Sequence, residues 1–489
     1  MKFNKRISFV AVLCALMSSP LFAQDVWDLR RCVEYAQANN ISVRQSDVQA
    51  RIADLTYHQN KLTRVPNGNF STNTGFQFGR SIDPTTNLFT NQQLLFQGFQ
   101  FNTDVTIFNW NRVTNAIQSA KYGLDAAVAD VERNKNDIAL NVATAYLQAL
   151  LSKVQINIAR VQFEQTSNQL SDTRKRVDAG TVPELNAVDL EAQAARDSSN
   201  IISAEATYQQ NLLNLKALLN LDAGQPFEIA TPDVERIPVD PIAELQPELV
   251  FQLAMKNQPA QKANELRLRS LEYTSKSARG QLYPTISAFG SMQSNFANSN
   301  LKITDAKFLG YNPPNAIAQA VNINGAFIPV QNPNIQFTQE KKSFGEMWSG
   351  WGTQLDENFR QSVGIVLSVP IFNGYQAKTN YERSKWNVKN QQLVIEQANQ
   401  KLKQDIYTAY NNAVAALQKY NASRTSFNAA QKAYDFATKR YGLGLLSTLE
   451  LITSQTNLTR SRIDMANAQY DYVFRMKVLE FYKGQGIKL

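Results

Sequence analysis

The stretch IALNVATAYLQALLSKVQI, residues 138–156, contains the pattern that best indicates the architecture of this chain. Its small and apolar side chains recur in steps of four, three, four, three and four residues. The recurring positions are Ile138, Val142, Ala145, Ala149, Ser152 and Ile156. A sustained period of about 3.5 residues is typical of a coiled-coil seam, and small residues on the seam let helices approach closely. The pattern predicts one helix from Val113 to Arg176, ~95 Å long at about 1.5 Å per residue, which is too long for a globular domain.

The same pattern occurs a second time in LKQDIYTAYNNAVAALQKY, residues 402–420. Its positions lie at one constant offset from those of the first copy, and the same offset relates Phe108 to Phe372. Upstream the offset is smaller, as between Pro66 and Pro284. The second copy therefore carries an insertion whose length is the difference between the two offsets, 46 residues. Self-similarity at a fixed offset indicates a duplicated structural unit.

The repeats divide the chain into four parts. Residues 1–23 have the charged, apolar and cleavable order of a secretory signal, whose removal lowers the formal net charge from +9 to +6. Residues 24–221 form the first structural repeat, 222–246 a proline-rich connector, and 247–489 the second repeat, with an inserted loop at about 297–360. Each copy is expected to contain a helix, a strand, a loop, a strand, a long helix, a tip and a helix.

Alternating segments predict two strands in each copy. The four candidates are residues 68–79, 99–108, 285–296 and 361–371. Phe99, Phe101 and Val105 share one face, opposite Gln100 and Asn102. Four strands cannot close a membrane barrel, which needs at least about eight, and lipid does not tolerate open sheet edges. Several copies must therefore share one barrel, unless the alternation marks a soluble sheet with one polar face.

The composition excludes most catalytic classes. One His and two Cys in 489 residues cannot build a common zinc site, a disulfide scaffold or an iron–sulfur cluster. No phosphate-binding loop motif occurs, and His58 lies among polar neighbours on a helix. We expect no enzymatic activity, no cofactor and no metal, and the absence of clustered Lys and Arg stripes predicts no nucleic-acid partner. No apolar run of about 18 residues follows the predicted signal, so no transmembrane helix is expected in the mature chain.

In the order and repetition of these features, the chain resembles the TolC-type outer-membrane efflux protein family. The resemblance covers nearly the whole mature chain and includes the paired motifs Arg176-Val-Asp-Ala-Gly180 and Arg440-Tyr-Gly-Leu-Gly444. It implies a mainly α fold with a small membrane β part. In that fold a homotrimer forms a shared twelve-stranded barrel in the outer membrane and a tunnel of coiled-coil helices that extends into the periplasm. The implied partners are a periplasmic adaptor (membrane fusion) protein, an inner-membrane RND or ABC transporter, and outer-membrane lipid.

The resemblance also implies roles for residues at the helix tips. The adaptor-docking residues would be Arg176, Gly180, Leu185, Arg440, Gly444 and Leu449, and the periplasmic gate would use Asp189, Tyr441 and Glu450. In a trimer, Asp189 and Glu450 would each form an acidic ring. Leu446 stands where the family has the Arg of a salt-bridge latch, so packing is expected to matter more for closure here. Independently of the resemblance, a glycine after a helix predicts a tight turn with positive φ.

The function implied is that of an outer-membrane exit duct in a tripartite efflux or type I secretion system. The alternative is a periplasmic coiled-coil structural or adaptor protein without a pore. We expect the insertion, which contains Trp348 and Trp351, to be an outward loop that caps or lines the pore mouth. A surface loop without that role is the alternative, and no residue specifies the exported cargo.

Overall fold

The computed structural model describes residues 26–82, 87–91, 94–231, 240–297, 301–312, 320–341, 343–347 and 358–484. The predicted signal, part of the connector, Trp348 and Trp351 lie outside these ranges. The helices are α1 (Leu29–Asn39), α2 (Ile41–Leu62), α3 (Arg112–Asp178), α4 (Leu185–Leu219), α5 (Pro247–Asn257), α6 (Pro259–Gly280), α7 (Phe344–Met347), α8 (Gln376–Gly442) and α9 (Thr448–Lys483). The strands are β1 (Val26–Trp27), β2 (Asn69–Gln77), β3 (Arg80–Ile82), β4 (Phe89–Asn91), β5 (Leu94–Phe108), β6 (Glu228–Ile229), β7 (Thr285–Ala297), β8 (Leu301–Tyr311), β9 (Ala320–Ile323), β10 (Ala326–Pro329), β11 (Pro333–Lys341) and β12 (Phe359–Ser368).

The two long helices confirm the mainly helical fold. Each of α3 and α8 is 67 residues long, and both their starts and their ends are related by the offset that links Phe108 to Phe372. The predicted bounds of α3 are wrong by one residue at its start and two at its end. The first helix of each copy is broken in two, because Asn40 and Gln258 have extended ψ values of 135° and 125°. The residue at the second break precedes Pro259, a position where the helical conformation is sterically disfavoured.

The predicted seam is buried in the helical unit, which contains the described residues up to Tyr57, Gln118–Thr274 and those from Arg383 onward. All six seam positions of α3 are buried, and in α8 the mates Ile406, Ala413 and Ala416 are buried as well. The α3 seam packs against α1, α4 and part of α9. The α8 seam packs against α5 and α9. The two copies therefore use the same heptad positions to build two apolar cores.

The second unit, His58–Ile117 and Ser275–Glu382, contains an antiparallel sheet in the order β12-β7-β5-β2. These four strands are the four that the alternation predicts. Val105 is paired with Ala288, and Ala288 with Ile365, so apolar residues of three strands share one face. Val363, Ile365 and Leu367 are exposed on that face in the single chain. The opposite face is polar, where the Ser291 and Ser362 hydroxyls lie 2.8 Å apart.

The expectation of only four strands is wrong. The structure also contains the parallel pair β1–β6 and three antiparallel pairs, β3–β4, β8–β11 and β9–β10. The insertion is therefore not a plain loop, because β8 and β11 form a long two-stranded ribbon that carries the small hairpin β9–β10. Asn324 and Gly325 turn that hairpin with φ values of 54° and 89°, the left-handed conformation that a tight hairpin turn requires.

Across the described ranges, no helix is both long enough and apolar enough to cross a membrane.

Candidate functional site

Two helix-to-helix turns form the candidate site. We call the turn between α3 and α4 tip 1 (residues 179–184) and the turn between α8 and α9 tip 2 (residues 443–447). At tip 1 the Gly180 amide donates to the Val177 carbonyl at 2.8 Å, and the Thr181 amide donates to the Arg176 carbonyl at 2.9 Å. At tip 2 the Gly444 amide donates to Tyr441 at 3.0 Å, and the Leu445 amide to Arg440 at 2.9 Å. This pair of bonds is the Schellman ending of a helix, so both tips close in the same way.

The predicted tip glycines occupy left-handed backbone positions. The φ values are 70° at Gly180 and 74° at Gly444. A Cβ at either position would meet no atom within 4 Å, so backbone strain rather than collision selects glycine. The residue four positions before each glycine, an arginine in both copies, supplies the main-chain carbonyl that the turn uses, a role that does not depend on its side chain.

Tip 2 carries a capping box that sequence reasoning missed. The Ser447 hydroxyl accepts from the Glu450 amide at 3.3 Å, and the Glu450 carboxylate accepts from the Ser447 amide at 3.0 Å and from its hydroxyl at 2.8 Å. These hydrogen bonds, that of the Ser447 amide first, lower the pKa of Glu450. The pattern Ser447-Thr-Leu-Glu450 is the sequence signal that could have revealed the box. Tip 1 differs, because Glu184 at the start of α4 makes no side-chain cap.

The second predicted gate carboxylate has a different environment. Asp189 lies half-buried on the first turns of α4. Among the described residues it makes no hydrogen bond or ion pair, whereas Glu450 is held by its cap. Acidic rings require further copies of the chain, so both rings stay predictions.

Tyr441 joins the two tips. Its hydroxyl lies 3.1 Å from the Thr173 hydroxyl of α3 and 3.4 Å from the Thr448 hydroxyl of α9. The Arg176 guanidinium lies over the Tyr441 ring, 5.9 Å from its centre. Leu446 packs with Tyr441 against the buried Leu451 and Leu458, so an apolar contact occupies the position of the family's arginine. Movement of one hairpin against the other would therefore break the contacts of Tyr441 with Thr173 and Arg176, whereas its contact with Thr448 lies within one hairpin.

The surfaces of the tips are apolar, and more so at tip 2. Leu185 beside tip 1 is 65% exposed, and Leu449 beside tip 2 is 70% exposed. Leu443 and Leu445 add two more exposed leucines at tip 2. Clusters of exposed apolar side chains are typical of surfaces that bind another protein.

A row of polar side chains follows the apolar seam of α3 as the helix approaches tip 1. Gln162, Thr166, Gln169 and Thr173 are spaced by four, three and four residues, and the row begins six residues after Ile156. Gln162 bonds to Thr459, and Gln169 donates to the Tyr434 hydroxyl at 2.9 Å. Sequence reasoning missed these bonds, although the heptad spacing of the four residues was visible.

The Thr166 hydroxyl is at the centre of this polar segment. It donates to the Asp197 carboxylate at 2.6 Å and accepts from the Gln455 amide at 3.1 Å. The Gln193 amide also donates to Asp197, at 2.8 Å. Asp197 is only 2% exposed, so hydrogen bonds from these neutral donors, rather than from water, stabilise its buried carboxylate. Three helices, α3, α4 and α9, are therefore tied by one chain of hydrogen bonds.

Comparison with known proteins finds relatives that are named as outer-membrane or secretion proteins. The chain is 23% identical over 353 residues to outer membrane protein TolC of Escherichia coli K12, covering 71% of this chain and 62% of TolC. It is 21% identical over 381 residues to the alkaline protease secretion protein AprF of Pseudomonas aeruginosa, covering 76% of this chain and 66% of AprF. The alignments thus span just under two thirds of the length of these relatives. The fold is similar to the crystal structure of the outer membrane protein VceC from Vibrio cholerae, with a TM-score of 0.69 and 14% identity over 94% of this chain and 97% of VceC.

The outer membrane efflux protein family matches residues 32–221 and 332–484. These two segments contain α3, tip 1 and α4 in one copy and α8, tip 2 and α9 in the other. They make up more than half of the chain and carry its duplicated architecture. The chain therefore belongs to the outer membrane efflux protein family, whose members are outer-membrane channels that extend into the periplasm.

Proposed function

We propose that this chain is one protomer of a homotrimeric exit duct, which passively conducts substrates from an inner-membrane transporter across the periplasm and the outer membrane. The observation that carries the proposal is the four-stranded sheet with its exposed apolar face. Within the described residues, β2 and β12 are unpaired along their outer edges. Lipid does not tolerate unpaired edges, and three copies would supply twelve strands to close a barrel.

The duct would serve an efflux or a type I secretion system. The family name refers to efflux, and the name of AprF refers to secretion of a protease. The energy for transport would come from an RND or ABC transporter in the inner membrane, because the proposed role of this chain is conduction alone. The substrate is left open by both names.

The tips would bind the periplasmic adaptor. The exposed leucines beside Gly180 and Gly444 support this assignment, together with Arg176 and Arg440 at the same turns.

Adaptor binding would favour an open arrangement of the hairpins over the closed one, a shift between two populations of conformations. Opening would break the contacts of Tyr441 with Thr173 and Arg176 of the other hairpin. Asp189 and Glu450 would then line the entrance and attract cations.

The sheet argues against a pore-less periplasmic coiled-coil protein. A soluble protein would leave the exposed faces of β12 and its neighbours in water, and Val363 is 88% exposed in the single chain. Large exposed apolar surfaces are rare in soluble monomers. Contact with lipid at this face of the sheet would remove these apolar side chains from water.

The test combines mass and conductance measurements. The full chain would be purified in detergent, its oligomeric mass measured, and the same preparation added to planar lipid bilayers. We expect a trimer that forms ion-conducting channels, with low conductance in the closed state and higher conductance for Tyr441→Phe. A non-conducting monomer would refute the duct and favour the pore-less alternative.

A further inference from the structure

The apolar face of the four-stranded sheet ends in a row of large side chains at one edge. Strands β2 and β7 begin at this edge and β5 and β12 end there, so all four are joined here to helices, namely α2, α6, α3 and α8. A register shift after Thr106 places Phe108 opposite Ile286, and Ile286 is paired with Leu367. Three strands therefore end with an apolar side chain on the same face.

Aromatic rings continue this face beyond the strands. The centre of the Trp110 ring lies 5.3 Å from that of Phe108 and 5.1 Å from that of Tyr283. In the second copy, the ring centres of Phe372 and Tyr375 lie 6.0 Å apart, and both rings are exposed. Tryptophan and tyrosine are enriched where a membrane meets water. We call these five residues the aromatic row.

The turn from strand to helix is strained at the same place in both copies. Trp110 and Asn111 have φ values of 52° and 60°, and their repeat mates Gly374 and Tyr375 both have φ values of 60°. Each turn thus holds one bulky aromatic residue in the left-handed conformation, which such residues rarely adopt. Backbone strain of this kind is retained mainly at functional sites, and here both strained aromatic residues belong to the aromatic row.

The same edge of the sheet is basic. The four connections between strand and helix, taken with one adjoining helical turn each, are residues 59–68, 109–115, 277–284 and 369–379. They contain five basic side chains and no acidic one. We call the five the basic collar, which consists of Lys61, Arg64, Arg112, Arg279 and Lys378.

Carboxylates near the sheet lie elsewhere. Asp104 is the one acidic residue in the sequences of the four strands, and it shares the polar face with Asn102, where it accepts from the Asn67 amide at 2.6 Å. Beyond the other end of β7, the ribbon carries both signs of charge, as at Lys307 and Asp305. The basic collar is therefore a feature of one edge only.

Hydrogen bonds bring the basic residues of three connections together. The Arg64 guanidinium donates to the Thr114 hydroxyl of α3 at 3.1 Å, two residues beyond Arg112. The Ser277 hydroxyl of α6 donates to the Arg112 carbonyl at 2.9 Å, two residues before Arg279. Helices α2, α3 and α6 therefore carry their basic residues at one level of the sheet unit.

The fourth connection places its basic residue beside the aromatic row. The Lys378 amine lies 5.6 Å from the centre of the Tyr375 ring, a cation–π contact with a neutral partner. The Thr114 hydroxyl that Arg64 contacts is also neutral. Positive charge next to aromatic side chains is typical of a protein segment that meets anionic headgroups at a membrane surface.

We infer that the basic collar binds the phosphate groups of anionic phospholipids, in the leaflet on the helical side of the sheet. The aromatic row would lie at the level of the headgroups and hold the collar next to their phosphates. A headgroup with a net negative charge fits better than a zwitterionic one, because the collar would repel the cation of the latter. The inference rests on the proposed insertion of the sheet in a membrane and adds the class of lipid that it selects.

The lipid preference of the purified full chain tests the collar. The protein would be reconstituted in phosphatidylcholine vesicles with a trace of spin-labelled phosphatidylglycerol or spin-labelled phosphatidylcholine, and the motionally restricted fraction of the label would be measured. We expect a preference for phosphatidylglycerol of about fivefold or more, the effect of one basic residue near a headgroup. The preference should decline as salt is added. Equal restriction of both lipids at low salt would overturn the collar without any variant.

Neutralisation of the collar identifies the residues. A variant with Lys61→Gln, Arg64→Gln, Arg112→Gln, Arg279→Gln and Lys378→Gln should restrict both lipids about equally. The matched control loses the same charge from the helical unit and should keep the preference. Its five substitutions, all at exposed positions, are Lys256→Gln, Lys262→Gln, Lys419→Gln, Arg424→Gln and Lys432→Gln. A preference that survives in the collar variant, or that falls equally in the control, would contradict the inference.

Two further outcomes separate the collar from the duct and from a plain anion site. A trimer that conducts ions but does not prefer phosphatidylglycerol would overturn the collar and leave the duct standing, whereas a non-conducting monomer would refute both. Replacing chloride by inorganic phosphate at equal ionic strength should leave the preference unchanged. If phosphate removes it, the collar binds free phosphate rather than lipid, and the inference is wrong.

Discussion

At the scale of single residues, the tips depend on backbone conformation more than on side-chain contacts. Gly180 and Gly444 have open space around them, yet their positive φ values exclude most other residues. The arginines before them contribute main-chain carbonyls to the turn. The Arg176 side chain lies over the Tyr441 ring, whereas the Arg440 guanidinium donates to the Leu445 carbonyl of tip 2 at 3.4 Å.

Replacing Gly444 by Val should abolish export without preventing insertion in the outer membrane. A β-branched residue in the left-handed region costs about 1–3 kcal/mol, and that strain would change the turn that is proposed to bind the adaptor. Export would be measured as resistance or secretion in a strain that depends on this protein. Gly442→Val is the matched control, because Gly442 has an ordinary helical φ and equally open space. Normal export by the Gly444 variant would argue against adaptor binding at tip 2.

The negative charge of Glu450 and its role in the capping box can be tested by two separate substitutions. Glu450→Gln keeps the ability to cap Ser447 but removes the charge, so cation selectivity in bilayers should fall while stability changes little. Ser447→Ala should do the opposite, with a loss of about 1 kcal/mol in stability and selectivity retained at neutral pH. Asp189→Asn should also lower selectivity. Unchanged reversal potentials in both neutral variants would exclude the acidic rings.

The pH dependence of cation selectivity should reflect the effect of the capping box on the pKa of Glu450. The pKa of Glu450 is lowered by Ser447, so the folded state holds fewer protons than the unfolded chain in the ordinary range of glutamate titration. The stabilisation is therefore present above the unfolded pKa and is lost as pH falls through the lowered one. In an Asp189→Asn background, cation selectivity should persist to lower pH with Ser447 than with Ser447→Ala. Identical pH profiles would show that the Ser447 hydroxyl does not contribute to the lowered pKa, which the Ser447 backbone amide, retained in the variant, would then account for.

At the scale of elements, α3 changes character along its length. Its seam is apolar around Val142 and Ala149, and it becomes a row of hydrogen-bonding groups from Gln162 to Thr173. Apolar packing is tolerant of small shifts, whereas a buried hydrogen bond is lost once its groups separate. The segment nearest tip 1 is thus joined to α4 and α9 by contacts that break at short displacement.

Thr166→Val should destabilise the protein by about 2–3 kcal/mol, because one oxygen of the buried Asp197 carboxylate loses its donor and the Gln455 amide loses its acceptor, while the other carboxylate oxygen keeps Gln193. Thr166→Ser keeps the hydroxyl and should lose about 1 kcal/mol or less. Denaturant midpoints of the purified variants would measure the difference. Equal stability of the Val and Ser variants would mean that the hydrogen bonds contribute nothing.

Much of the element pattern could be predicted because periodicity is a local property. The heptad steps predicted both long helices, with bounds for α3 that lie within two residues of the observed ones, and alternation predicted the four strands of the sheet. The ribbon β8–β11 was missed because its strands lie in a segment rich in Asn, Gly and Pro. The hairpin β9–β10 was missed although its turn, Asn324-Gly325, is a hairpin signal. The bond between Thr166 and Asp197 could not be predicted, since it depends on which helices meet in space.

At the scale of the whole molecule, the insertion is an addition to one copy only. Within the described residues, β8 pairs with β11 and β9 with β10, and none of them joins the four-stranded sheet. Exposed aromatic side chains lie along the ribbon, as at Phe308 and Phe337, and on the hairpin, as at Phe327. Its expected place at the pore mouth remains a prediction.

Replacing residues 301–341 by a short Gly-Ser linker should leave the trimer intact, because the ribbon pairs only with itself among the described strands. If the ribbon covers the pore mouth, single-channel conductance should rise. The oligomeric mass serves as the control for folding. An intact trimer with unchanged conductance would assign the ribbon to the outer surface.

The identical length of α3 and α8 restricts how this protein can change in size. Removing one residue from either helix would rotate everything beyond it by about 100° and shift it by about 1.5 Å, which would turn the buried seam toward solvent. Only whole heptads, inserted at matching points in α3, α4, α8 and α9, preserve both seams and both tips. Relatives built on this plan should therefore differ in reach by steps of about 10 Å, so that a periplasm of another width is spanned in fixed increments rather than continuously.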